Sequence, residues 1–368
     1  MDIDIGNGIL GAILGVVFGT LFQQWTQDLW FKVRRRTAGK VRSLTYRPGE
    51  GGGWGTFSLG PLHTPALIVE GDGDRPIAPD SVHVQVLDGE IELPAELASW
   101  RAEIEAEEAR AEAAGERRPV WNGERYAVES VDVTRTPLDE APEVHLRLRP
   151  TDYYTFLAAQ QLDRRLPDGS TPRRRWLDPD APLTAPAFLQ CSFAANVAVV
   201  TADDLLVISR RGDRVRMAPG LWNSSVNEGL ARNLDASGRR HAPDLHALAR
   251  RGMREELSLE PHEYRLELLA FVLDVEHRMW SAHFYARLTD MTGEQLRART
   301  SRGVADRWEH SAMEYVPFRT ADVARHLLSP ERRHRWAPLA PALFHLALVH
   351  VHGRASVERA EAAVVRRL

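Results

Sequence analysis

The hydrophobic pattern along the chain changes period several times, and each change predicts an element. An uncharged, largely apolar run covers 5–27. Its first eighteen residues would make about 27 Å of helix, close to the hydrocarbon thickness of a bilayer. Short apolar or alternating runs at 66–70, 82–87 and 90–93 predict strands, and 125–134 with 144–148 alternate as a strand pair. Between them, 96–118 is alanine-rich and densely charged, which predicts a solvated helix. A helix is expected to begin at Thr151, and the proline-rich stretch 166–186 reads as a linker.

Farther along, 196–201 and 205–209 are β-branched runs separated by Asp203-Asp204, a hairpin by composition and spacing. Leu245, Leu248, Ala249, Met253 and Leu257 then repeat at helical period, predicting an amphipathic helix over 242–257. Strands are expected at 266–275 and 282–288, a closing strand across 308–318, and a terminal helix near 339–351. The expected organisation is therefore a span at 5–27, a basic segment at 28–45 and a β-rich domain at 46–165. The linker, a mixed domain at 187–330 and terminal helices at 331–368 follow.

Charge adds an orientation to the first segment. Lys32, Arg34, Arg35, Arg36, Lys40 and Arg42 follow the apolar run, whereas only Asp2 and Asp4 precede it. Positive flanks stay on the cytoplasmic side, so the expectation is a single-pass protein of the cell membrane with its body in the cytosol and the lipid bilayer as a partner. Gly11, Gly15 and Gly19 fall at four-residue spacing, a stripe that lets spans pack closely, so a homo-oligomer is expected there. The whole chain has 368 residues and a formal charge of −4, which offers no electrostatic footprint for nucleic acid. With Cys191 as its one cysteine, it has no internal disulfide and no cysteine-rich zinc site.

The candidate chemistry lies in the second half. Glu255 and Glu256 are adjacent on the amphipathic helix and point about 100° apart. With the loop carboxylate Glu228 they form a set of oxygen ligands suited to a hard divalent cation. Trp222 sits in the loop beside them, where an aromatic ring can meet a ligand.

The order of these pieces, hairpin, tryptophan loop, acidic turn and a helix reading ALARRGMREELSL, resembles the Nudix hydrolase family. Arg251, Met253, Glu255, Glu256 and Leu259 match the second half of its motif, and Ala249 matches the small residue before the arginine. Gly252 stands where the family has its first helix glutamate, and Ser258 replaces the glycine that ends the helix. The loop between Glu228 and the helix is longer than the motif allows. The resemblance implies an α+β fold, a mixed-sheet α/β/α sandwich over roughly 190–320. It implies Mg²⁺ (or Mn²⁺) on Glu228, Glu255 and Glu256, with Arg251, Glu255 and Glu256 as the catalytic set. Trp222 and Glu309 would contact the ligand, and a nucleoside diphosphate-linked compound would be hydrolysed. Two other readings fit the same residues: a catalytically silent nucleotide-sensing module and a structural scaffold.

Overall fold

The computed structural model describes residues 55–115, 121–212, 218–237, 242–303 and 310–368. Within them the chain is a mixed α+β structure organised around one large sheet. Its strand order runs from β15 (His310–Pro317) through β8 (Leu205–Arg211), β7 (Phe193–Val200), β14 (Met279–Leu288) and β13 (Tyr264–Asp274) to β3 (Ala66–Glu70). β7 and β14 are parallel, and the other neighbours on this path are antiparallel. β3 pairs with β13 although some two hundred residues separate them, so the early part of the chain completes the sheet.

β7 and β8 diverge after one register pair, Val200 with Leu206. The gap is filled by β9 (Trp222–Asn223), which pairs with β8, and β10 (Val226–Gly229), which pairs with β7. Two buried serines make this wedge possible by bonding backbone groups that would otherwise be orphaned. Ser225 Oγ accepts from Val199 N at 2.8 Å and donates to Val207 O. Ser224 Oγ lies 2.8 Å from Val226 O, which it can satisfy as donor, and 2.8 Å from Asn196 Oδ1.

Helix α5 (Leu245–Leu257) packs on one face of the sheet. Asp244 caps it, accepting from His246 N and Ala247 N at 2.7 and 3.1 Å. Its stripe of Leu245, Leu248, Ala249, Met253 and Leu257 is buried against strand residues such as Val197, Phe271 and Phe284. The opposite face of β14 presents Tyr285 toward His350 of helix α8 (Ala340–His352). The sheet thus lies between α5 and α8.

A second sheet has the order β4 (Val82–Val86), β6 (Pro142–Asp152), β5 (Glu124–Arg135), with β4 and β6 parallel. Its inward Tyr126, Val128, Val144, Leu146 and Leu148 join the same apolar cluster as α5. Helix α1 (Ala95–Ala113) is shorter than its alanine-rich, charged run, and it is not wholly solvated. Leu97 and Trp100 pack with Leu162, Leu166 and Leu189. Residues 90–93 form no strand.

The architecture expected from the sequence is corrected in its membrane part. No helix among the described residues is long and apolar enough to cross a membrane. The expected single transmembrane helix at 5–27, with Gly11, Gly15 and Gly19, lies outside the described residues. The cell-membrane location and the bilayer partner, both inferred from that segment, lose their basis with it. The expectation rested on length and absence of charge.

Candidate functional site

Arg251 is the centre of the charged cluster on α5. Its side chain is buried to 10 % exposure and is met by carboxylates from three elements. Nη1 lies 2.8 Å from Glu228 Oε1 on β10 and 3.3 Å from Glu255 Oε2 one turn along α5. Nε and Nη2 form a fork on Asp235, at 2.9 and 2.8 Å. Asp235 ends the short helix α4 (Arg232–Asp235), and its Oδ2 also accepts from Ala231 N. Nη2 reaches Gly229 O at 2.9 Å as well. Burial acts against the charge of this guanidinium. The hydrogen bonds to Asp235, with the charges of Glu228, Asp235 and Glu255, outweigh it and hold the group above the ordinary arginine range.

Glu256 points the other way along α5 and is almost fully buried. Its Oε1 accepts from Asn227 N at 3.0 Å, which ties the C-terminal turn of the helix to β10. Its Oε2 lies 2.7 Å from His310 Nε2, a close contact whose angles do not make a hydrogen bond.

Gly252 explains why β10 can lie so close. A Cβ at this position would fall 2.7 Å from both Glu228 Cβ and Val226 Cγ1. Strand and helix are in contact through the missing side chain, so the glutamate that the Nudix motif places here has no room. Ser258, at the other substituted position, ends the helix in a conformation that glycine favours. It is left-handed at φ +55°, and the helix closes with Ser258 N to Arg254 O and Leu259 N to Met253 O.

The structure therefore brings Arg251, Glu228 and Glu255 into one network and holds Glu256 beside it. Trp222 is elsewhere: it is buried in β9, its backbone bonds Arg335 O and Ala337 N, and the Arg332 guanidinium lies 4.2 Å from its ring centroid. That is a strut between β8 and the segment leading to α8. Glu309 lies outside the described residues. Asp235, Asn227 and His310 belong to the network without having been singled out from sequence. Asp235 gave no signal, lying in a polar stretch. His310 could have been found, because it lies in the closing strand expected across 308–318 and opens β15.

As a magnesium site the arrangement fits poorly. Mg²⁺ requires near-octahedral oxygen ligation at about 2.0–2.1 Å. Here one oxygen each of Glu228 and Glu255 is on a guanidinium that would repel the ion, and Glu256 is engaged by Asn227 and His310. Among the described residues, a group of three acidic or histidine side chains close enough to share a metal is found on the second sheet: His83, Glu143 and His145.

No protein-family profile matches the chain, and no curated protein matches it. Solved structures of Nudix hydrolases are similar at low identity and over part of the chain. The protein DR0079 of Deinococcus radiodurans is 17 % identical, covers 42 % of this chain and 82 % of its own, with a TM-score of 0.31. A MutT Nudix hydrolase of Burkholderia pseudomallei is 15 % identical, covers 42 % and 96 %, and has a TM-score of 0.24. The MutT protein of Methanosarcina mazei is 12 % identical, covers 35 % and 79 %, and has a TM-score of 0.23. Likeness of this strength carries none of those proteins' activity to this chain.

Proposed function

We propose that the chain is a catalytically silent Nudix-like module that binds a nucleoside diphosphate-type compound without hydrolysing it. The observation that carries the silent part is the engagement of the carboxylates around Arg251. Arg251 draws in Glu228, Asp235 and Glu255, and Gly252 leaves no space for a further carboxylate. The residues that would hold a divalent cation instead pin β10 and α4 to α5. The nucleotide part rests on the resemblance of 249–259 to the Nudix motif.

One observation favours the hydrolase reading: Glu255 keeps 31 % of its side chain exposed beside Glu228 at 16 %. A panel of nucleoside diphosphate compounds, including ADP-ribose and dinucleotides, separates the readings when offered to the full chain with Mg²⁺ or Mn²⁺. Saturable binding without turnover is expected. Turnover that disappears in Glu256→Gln would overturn the proposal in favour of an enzyme. Neither binding nor turnover would overturn it in favour of a scaffold.

A further inference from the structure

We propose that the outer face of the second sheet carries a binding site for a divalent transition-metal ion of the zinc class, made by His83, Glu143 and His145. The backbone creates it. β4 and β6 run parallel with His83 directly beside His145, so the two imidazoles project to the same side. Glu143 lies two residues before His145 on β6 and therefore shares that face. One ligand atom from each of the three lies within 4.8 Å of the others. The imidazole rings are stacked at 4.9 Å between centroids and 25° between planes.

The surroundings favour ligation over an ordinary solvated face. Val82, Val84, Val144 and Leu146 alternate with these residues and point into the apolar cluster, so the pleat fixes the direction of all three side chains. None of the three makes a side-chain hydrogen bond or ion pair among the described residues, and the two imidazoles stack on each other. Asp132 continues the row on β5 opposite His145, its Oδ2 accepting from Ser130 Oγ at 2.8 Å, and it is not among the residues close enough to share the ion.

The donor set selects the ion. Two imidazoles and one carboxylate suit Zn²⁺ and its neighbours, whereas Mg²⁺ and Ca²⁺ prefer oxygen alone. Zn–N and Zn–O distances are about 2.0–2.2 Å, so small side-chain rotations close the present spacing. Three protein ligands leave one tetrahedral position for water or another donor. A bound ion would also join the edge strand β4 to β6 through side chains as well as backbone.

The test uses the full chain and Zn²⁺ alone, followed by titration calorimetry, with Co²⁺ absorption as a spectroscopic readout of tetrahedral N/O ligation. One equivalent is expected to bind, and His83→Ala and His145→Ala are each expected to weaken that binding at least tenfold. Glu143→Gln is expected to weaken it less, since the amide oxygen still ligates without charge. Zn²⁺ should raise the thermal midpoint of the wild type and not that of His83→Ala. Because His83 is exposed, its replacement leaves the apolar face intact, and the apo midpoints check that. Binding unchanged in both histidine variants, or absent from the wild type, would overturn the site.

Discussion

Gly252 on α5 and Glu228 on β10 approach so closely that a Cβ on the glycine would lie 2.7 Å from the Cβ of the glutamate. The contact sets the distance between helix and strand, and through it the reach of Arg251 to Glu228 and of Glu256 to Asn227 N. It makes the substitution Gly252→Glu informative. Restoring the motif residue is expected to force α5 and β10 apart rather than to complete a metal site. Overpacking of this kind costs about 1–3 kcal/mol, and the added carboxylate enters a region already rich in acid. Urea unfolding should show the loss, with no gain of Mg²⁺-dependent turnover on a nucleoside diphosphate panel. A stable variant that gains turnover would show that the helix still holds a latent hydrolase.

Arg251 should behave as a keystone for three elements. In Arg251→Met the carboxylates of Glu228, Asp235 and Glu255 lose their shared cation, and Asp235 is only 4 % exposed. Removing one partner of a buried ion pair costs about 3–5 kcal/mol, because the charge left behind is uncompensated. The same variant frees oxygen ligands, so millimolar Mg²⁺ should stabilise it more than it stabilises the wild type. Thermal unfolding with and without Mg²⁺ measures both effects. An unchanged midpoint would contradict a structural role for the network.

Ser258 offers the opposite sign. It adopts the left-handed conformation at φ +55° that glycine takes without steric cost. A non-glycine residue there carries a penalty of about 1–2 kcal/mol. Ser258→Gly removes it, offset in part by the greater freedom of glycine in the unfolded chain. A net gain of about 0.5–1 kcal/mol in unfolding free energy is expected on these grounds. A loss would mean that the serine hydroxyl contributes to the cap.

What was legible beforehand follows from range. The stripe Leu245, Leu248, Ala249, Met253, Leu257 and the hairpin around Asp203-Asp204 are local patterns, and both elements formed close to where periodicity put them. The pairing of β3 with β13 is invisible to any local reading, because a strand's partner is chosen by tertiary packing. The site divides the same way. The spacing of Arg251, Glu255 and Glu256 placed them on one helix, but which carboxylates meet the guanidinium depends on the path of β9 and β10. That path rests on the buried bonds of Ser224 and Ser225. Trp222 was expected to meet a ligand because its loop lies beside the carboxylates in sequence; in the structure the Arg332 guanidinium lies over its ring.

His283 supplies the prediction that depends on pH. It lies on β14 at 0 % exposure, and neither ring nitrogen has a hydrogen-bond partner. Burial alone pushes its imidazole down to about 3. The unfolded chain takes up this proton near the ordinary value of 6.5, whereas the folded chain holds it off until about 3. Between those values the unfolded state binds more protons, so this residue makes the fold lose stability as pH falls from 6.5 toward 3, with its full contribution kept above 6.5. Linkage puts the loss at about 2 kcal/mol between pH 8 and pH 5. His326, pushed down to about 4 by burial and then by Arg332, adds a loss of the same sign. Comparing wild type with His283→Leu isolates the first residue. At pH 8 the variant should be as stable or more so, because an unsatisfied buried polar group is replaced by an apolar one of similar size. At pH 5 its advantage should grow by about 2 kcal/mol. Urea titrations at the two pH values measure the difference, and parallel curves for the two proteins would mean that the folded imidazole takes up its proton at the same pH as the unfolded one.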